Sequence, residues 1–517
     1  MKLVLAALGA LAALPAAAQT LTVGAAAPIT SLDPHFYNAA PNTNIAQHIF
    51  PFLMKRDAQA RLEPDLAEGV TAIGDSAFEF RLRATNWADG KPVTADDVAF
   101  SLGRVPNVPN SPGGFQGSLI GISRVEVVDA RTIRLHTNGP APLVPGNMSA
   151  IAIIPKHLAD GGTTADFNSG RIAVGAGPFR LVSYSPGERV VLERNDGYHG
   201  DKPHWARVTF RFITNDAARV AAVRAGDVDL IDQVPTADLP RLSAEPSLRV
   251  SSIAGLRLIY LAFDFATDAW PGGITDAQGR PFAQNPLRDV RVRRALSIAI
   301  NRAAIADRVM GGLATPTGQW LPPGAFGYDR DLAAPPFDPD QARRLLAEAL
   351  PQGLRVTLFA PNDRYPNDSQ TAQAIAQFWT RIGVATQVEA IPWSSYAGRA
   401  NRNEFGIHLI GWGSTTGEAS SLLTATLATR NREKRMGGLN AGGHSDPVLD
   451  AMIEQGMATL DDERREAIWR QAVRHVSNSV AQIPLHQVTN SWITRRGVTY
   501  EARADERTWA HRVFPAN

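Results

Sequence analysis

Hydrophobic and polar residues alternate at Phe78, Phe80 and Leu82, at Ile133 and Leu135, and at Val208, Phe210 and Phe212. A period of two puts one face of the chain inward, so these segments predict half-buried strands. The run Leu256 to Phe265 is apolar on both faces and predicts a strand buried on two sides. Elsewhere the spacing is helical: Ala342, Leu345, Leu346 and Ala349; Ala372, Ile375, Ala376 and Trp379 in a helix expected over about 367 to 382; and Leu449, Met452, Ile453, Met457 and Leu460. Asp338-Pro339 and Asp446-Pro447 place an acidic cap before a proline at the first helical position. Thr94 with Asp97 reads as a capping pair, the hydroxyl accepting an orphan amide. Strands and helices interleave after residue 287, which predicts an α/β layer, and Asp264 to Pro286 is rich enough in Gly, Pro and polar residues to predict loop.

The first residues stand apart. Lys2, an apolar run from Leu3 to Leu14, and Ala16-Ala17-Ala18 before Gln19 form the three parts of a secretory leader, with cleavage expected after Ala18. About a dozen residues span only ~18 Å as helix, against a bilayer core of ~30 Å, so a membrane anchor does not fit. Cysteine is absent, which removes disulfides, thiolate metal sites, a cysteine nucleophile and a lipidated cysteine together. Export without that lipid tether points to a Gram-negative periplasm. Loss of Lys2 with the leader lowers the 52 basic residues to 51 against 50 acidic ones, a formal charge of +1. That balance argues against nucleic acid or an anionic membrane as main partner. Some 500 mature residues exceed what one core usually supports, so two or more domains are expected.

An exported hydrolase is the obvious alternative. The chain has no Gly-x-Ser-x-Gly elbow, His-Glu-x-x-His helix, phosphate loop or dinucleotide fingerprint. A triad or carboxylate pair assembled from distant positions stays open. His199 and His204 form the one close histidine pair and lack a partner at metal spacing, so they predict solvated loop residues. His408 and His444 flank a more suggestive loop and leave a histidine contact to ligand or chelated metal open. That loop, Gly411-Trp412-Gly413-Ser414-Thr415-Thr416-Gly417-Glu418, ends a short apolar strand and offers amides, hydroxyls, a carboxylate and an indole together. Ser31 to Asn38, with His35, Phe36 and Tyr37, and Pro361 to Asn367, with Arg364 and Tyr365, have the same character. Arg364 has the geometry to hold a carboxylate bidentately.

Three blocks carry a further signal: Gly175-Ala176-Gly177-Pro178-Phe179, Arg194-Asn195-Asp196-Gly197-Tyr198 with Pro203 behind it, and Arg288-Asp289-Val290-Arg291-Val292-Arg293-Arg294-Ala295-Leu296. With Asn86-Trp87-Ala88-Asp89-Gly90-Lys91 and its sequel to Val98, their order resembles the large family 5 extracytoplasmic solute-binding proteins of peptide and nickel ABC importers. The resemblance implies an α/β, two-lobed periplasmic binding protein of type II, cluster C-like. Lobe one would comprise 19–262 and 486–517 with an extra subdomain near 51–170, and lobe two 263–485, hinged near Tyr260 and Pro484-Leu485. It implies a binding protein and no enzyme, without cofactor or metal, a monomer that hands a small peptide-like solute to an inner-membrane permease. Phe36, Tyr37, Arg364, Tyr365, Trp412, Thr415, Thr416 and Glu418 would line the cleft. Arg364 would pair with a carboxylate, Trp412 would pack on apolar parts, and Glu418 would take an ammonium. Peptide-binding relatives often carry an aspartate where Thr415 stands, and the pattern at 414 to 419 looks more like the glutathione-binding branch. Opines and metal chelates remain alternative solutes, and a chaperone or sensor role an alternative use of the clamp.

Overall fold

The computed structural model describes residues 19–414, 416–434 and 436–516. The leader, 1 to 18, and Thr415 lie outside the described residues. Within them the two-sided strand is longer than its apolar run. It spans Leu248–Phe263, and Ile483–Arg495 runs antiparallel beside it, from Leu248 opposite Arg495 to Leu261 opposite Ile483. Sixteen extended residues reach on the order of 50 Å, several times the roughly 10 Å between packed layers. One core cannot cover such a ribbon. Near one end, Leu248 and Ile493 pack with Val220, Val223 and Leu242, and Trp492 joins a core containing Leu21, Val208 and Phe210. Near the other, Ile259, Leu261, Ile483 and Leu485 pack with Leu296, Val356 and Trp379, while Leu258 and Tyr260 join Trp320 and Trp469. Two lobes therefore share one ladder.

On the first-lobe side the sheet continues through Leu230–Ile231, Thr20–Ala25, Arg207–Phe212, Arg189–Arg194 and Phe179–Ser185. Val208 and Phe210 are buried, as their alternation predicts. A separate antiparallel sheet, ordered Ala67–Ala72, Ala77–Leu82, Thr132–Thr137, Ile122–Asp129, closes its own core around Phe80, Trp87, Val98 and Leu135. On the second-lobe side Leu248–Phe263 pairs with Ile407–Gly413, which meets Arg355–Pro361 in parallel. Helix Asp368–Arg381 crosses from Arg355–Pro361 to the parallel strand Ala385–Ile391 and buries Ala372, Ile375 and Trp379. The expected loop 264 to 286 is interrupted by Ile274–Thr275, which pairs with Val356 and Arg355. Gly273, at φ +79°, allows it: a Cβ there would lie 2.8 Å from Thr357 Cβ.

Asp338 and Asp446 cap their helices, accepting from the N–H of Gln341 and of Val448 and Leu449. Thr94 and Asp97 form the expected capping box, and the pair carries one contact more. The Thr94 hydroxyl and N–H both donate to the Asp97 carboxylate at 3.0 and 2.8 Å, whose other oxygen accepts from Lys156 N–H at 2.8 Å.

The sequence blocks prove to be joints. A Cβ on Gly175 would sit 1.7 Å from the Ile49 carbonyl oxygen, so no side chain fits there. Gly177 N–H donates to that oxygen at 2.9 Å, and the Asn195 amide donates to Gly177 O at 2.8 Å, tying two blocks together. In the third block Asp289 caps helix Val290–Ile298, while buried Arg293 donates to the carbonyls of Leu287, Ser479 and Val480. Arg302 does the same for Pro484 and Ser297. The two arginines thus grip the segment that enters strand Ile483–Arg495.

His35 and His48 are fully buried with both ring nitrogens engaged. His48 Nδ1–H donates to Asn44 O at 2.7 Å and Nε2 accepts from Ala510 N–H at 2.9 Å. His35 Nε2–H donates to Ala152 O at 2.7 Å while Nδ1 accepts from Arg104 at 3.2 Å. Burial pushes each down to about 4. The unfolded chain therefore binds more protons below pH 6.5, and stability falls as pH drops from 6.5 towards 4. At pH 5 each histidine costs about 2 kcal/mol by that linkage. The melting temperature should fall steadily over this window, and His48→Gln should flatten the fall; a flat profile from pH 6.5 to 4.5 in the parent would contradict the buried neutral assignment.

Candidate functional site: a cleft between the lobes

The ladder is irregular where it leaves the first lobe, with its register shifting between Ala254 and Leu258 and again between Ile259 and Tyr260. Gly255 sits in the gap, where a Cβ would lie 2.7 Å from Val488 O. Asn490 on the facing strand donates to the carbonyls of Arg503 and Ala504, which pins the loop 503 to 507 against the crossing. Leu256 packs on Ala60 and Ala504. Arg257, the one arginine in the apolar run 256 to 265, is held beside them.

A cavity of about 210 Å³ opens at this point. Its first-lobe wall carries Asn38, Thr43, Arg56, Asn147, Asp505 and Arg507; its floor is Leu256 and Arg257; its second-lobe wall is Gly413, Ser414 and Thr416. The lobes touch at its edge. Gly417, at φ +69°, lies so close that a Cβ would be 3.0 Å from Ala60 O and 3.3 Å from Arg56 Nη1.

The charges are interlocked. Arg257 donates bidentately to Glu506 at 2.9 and 3.2 Å. Arg503 donates to both oxygens of Asp505 at 3.0 and 2.8 Å, and Arg507 approaches Asp505 at 3.3 Å. Burial alone would raise the Asp505 carboxyl, but Arg503 and Arg507 hold it below the ordinary carboxylate value. Arg56 donates to Ala60 O at 2.9 Å and is pushed down to about 10 by burial, with Glu418 and Asp505 opposing. Among the described residues the buried Nε–H groups of Arg56 and Arg507 have no acceptor.

The residues singled out from sequence are dispersed around this cavity. Thr416 lines it. Glu418 lies behind, 7% exposed and 3.8 Å from Arg465, and burial raises its carboxyl despite Arg465 and Arg56. Tyr365 is buried; its hydroxyl donates to Gly411 O at 3.2 Å and its ring faces Arg257 at 6.0 Å, so it props the floor. Arg364 is exposed, over the rings of Tyr365 and Trp393 at 5.5 and 5.3 Å. Trp412 is half-buried against the second lobe, its indole N–H enclosed without a partner. Tyr37 packs on Gly113, and Phe36 faces a different, more open depression of about 900 Å³ with Phe100, Arg104, Val108 and Thr164. That depression belongs to one lobe, and its Arg104 is locked bidentately to Asp33 at 2.9 and 2.6 Å. A solute there would make the same contacts with the lobes open or shut.

The histidines are structural. His199 lies 3.3 Å from Asp65 and is packed rather than solvated; His408 sits among Tyr396 and Phe405; His444 bonds Leu427 O at 2.8 Å. None lines the cleft, and among the described residues no group of three His, Asp or Glu is placed to hold a metal ion. The sequence reading passed over Arg56, Arg257 and the run Arg503-Ala504-Asp505-Glu506-Arg507. Two signals pointed to them: a lone arginine inside a doubly apolar strand, and dense alternating charge close to the C-terminus.

A cleft walled by two lobes and floored by the strands that join them defines a solute-binding clamp. The model of the bacterial extracellular solute-binding proteins, family 5, matches residues 61–434. The chain belongs to that family. It is 27% identical to the dipeptide-binding protein of Escherichia coli K12 over 85% of this chain and 81% of the relative. It is 25% identical to the glutathione-binding protein GsiB of Salmonella choleraesuis, over 93% and 92%. The solved structure of HbpA2 from Haemophilus parasuis superposes with a TM-score of 0.83 at 24% identity, covering 96% of this chain and all of that one. The fold is that of the two-lobed binding proteins, and the family binds solutes for ABC importers rather than transforming them.

Gly417 marks a close approach of the lobes at the edge of the cleft. Asparagine tolerates a left-handed backbone, so Gly417→Asn adds a wedge with little local strain. It should enlarge the radius of gyration in solution scattering and weaken solute binding about tenfold, roughly 1.4 kcal/mol. An unchanged radius and affinity would show that the contact at Ala60 does not hold the lobes together.

Proposed function

We propose that the chain is a periplasmic receptor that captures a small peptide-like solute in the cleft and delivers it to an inner-membrane ABC permease. The observation that carries this reading is the three-part wall: first lobe, crossing strands and second lobe each contribute to one cavity. A solute that bridges them is bound fully only when the lobes are shut, and that difference in affinity drives closure. The lobes would swing where the register shifts, about residues 254–260 and 484–490, a span that includes the crossing at Tyr260 and Pro484-Leu485. At about 210 Å³ the cavity is below the ~300 Å³ of the smallest drug-sized sites, which favours a dipeptide-sized cargo over a long peptide. The dipeptide- and glutathione-binding relatives support the same class.

A melting-temperature screen with dipeptides, glutathione, oligopeptides, opines and metal chelates tests the proposal. A bound solute at 100 times its dissociation constant should stabilise the protein by about 2.7 kcal/mol. No shift from any peptide-like member, with an opine or a chelate active instead, would move the assignment to that solute.

We also propose export with cleavage after Ala18. No helix among the described residues is long and apolar enough to cross a membrane. The intact mass of protein from a periplasmic extract should correspond to a chain that starts at Gln19. A mass that includes Met1 to Ala18 would refute cleavage.

A further inference from the structure

We infer that the cleft takes a small anionic solute, one that bears a carboxylate and has no free ammonium group. The inference rests on the receptor reading above and narrows its cargo.

Charge around the cavity is unequal. Arg56, Arg257 and Arg507 line it, with Arg503 and Arg465 directly behind, against Asp505, Glu506 and Glu418. The two carboxylates that line the cavity are already engaged, Asp505 by Arg503 and Arg507 and Glu506 by Arg257, while Glu418 stands behind the wall, 3.8 Å from Arg465. An incoming ammonium would have to displace an arginine, leaving that guanidinium unpaired in a largely buried place, the costly half of any buried ion pair. The neutral wall groups Asn38, Thr43, Asn147 and Ser414 offer an ammonium dipoles but no charge.

The donors, by contrast, are incomplete. Among the described residues, Arg56 and Arg507 each retain a buried Nε–H without a partner. Guanidinium is a donor only, so an ammonium offers these groups nothing, whereas a carboxylate oxygen is the acceptor they lack. The raised Glu418 carboxyl acts in the same direction, since any fraction of it that is protonated removes a negative charge from beside Arg56. The cavity volume limits the anion to something near the size of a dipeptide.

Isothermal titration of the intact mature protein with matched pairs decides the matter: alanyl-alanine, alanyl-leucine and glycyl-phenylalanine, each free and N-acetylated. The N-acetyl members should bind at least tenfold tighter, with affinity falling as salt is raised. Arg56→Gln and Arg507→Gln should each weaken the N-acetyl members tenfold or more and change the free members less than threefold. Should Arg56→Gln fail to fold, judged by its melting curve, Arg507→Gln carries the comparison. Free dipeptides that bind equally or tighter would overturn the anionic assignment and leave the peptide receptor standing. Binding of neither set would overturn both.

Discussion

One ladder of backbone hydrogen bonds has to serve two hydrophobic cores. Leu248–Phe263 and Ile483–Arg495 leave one core and enter the other side by side, and the hydrogen bonds between them must survive any movement of the lobes. Regular antiparallel pairing resists bending, so flexibility gathers where pairing is interrupted, at a bulge. The interruption lies at 254–258, and Gly255 is the residue for which no side chain has room. The cleft opens at that same place, with Leu256 and Arg257 as its floor.

Around the ladder, buried arginines do the work that water does at a surface. Arg293 donates to carbonyls just before strand Ile483–Arg495 and Arg302 to one at its start, and Arg219 donates to the carbonyls of Ile213, Asp232 and Gln233. A carbonyl left unpaired in such a place costs about 1–3 kcal/mol, and one guanidinium satisfies several of them in a fixed plane. In the cleft the same residue type is used differently. There Arg257 and Arg507 pair with carboxylates, Arg56 bonds a carbonyl, and two N–H groups are left over among the described residues. The contrast between saturated arginines in the joints and unsaturated ones in the cavity separates scaffold from binding surface.

Lobe contact and solute capture are coupled through Arg56. Its guanidinium reaches Ala60 on its own lobe, stands beside Glu418 on the other, and lines the cavity between. Any solute that engages Arg56 therefore acts on the group that also feels the opposite lobe. Tyr365 has the corresponding place beneath Arg257, bonding Gly411 on the strand that pairs with the ladder. Residues that never touch solute can in this way set how far the lobes close.

The sequence by itself determined the local elements and the family. Alternation at Phe78 to Leu82 and Val208 to Phe212, helical stripes such as Ala372 to Trp379, and the Asp-Pro caps depend on neighbours within a few residues, so they are visible in one dimension. The glycine block at 175 to 177 and the arginine block at 288 to 296 were visible as motifs, although their reason, close approach to Ile49 and a grip on 478 to 480, was not. What only tertiary structure decided was the cavity. Its walls come from residues near 40, 56, 147, 257, 414 and 505, brought together by two lobes folding back on one ribbon. Local chemistry drew attention to Arg364, Trp412 and Glu418, whose types suit a ligand. Packing turned Arg364 outward over two rings and put Glu418 behind the wall, because the direction of a side chain is set by which face of its element the core claims.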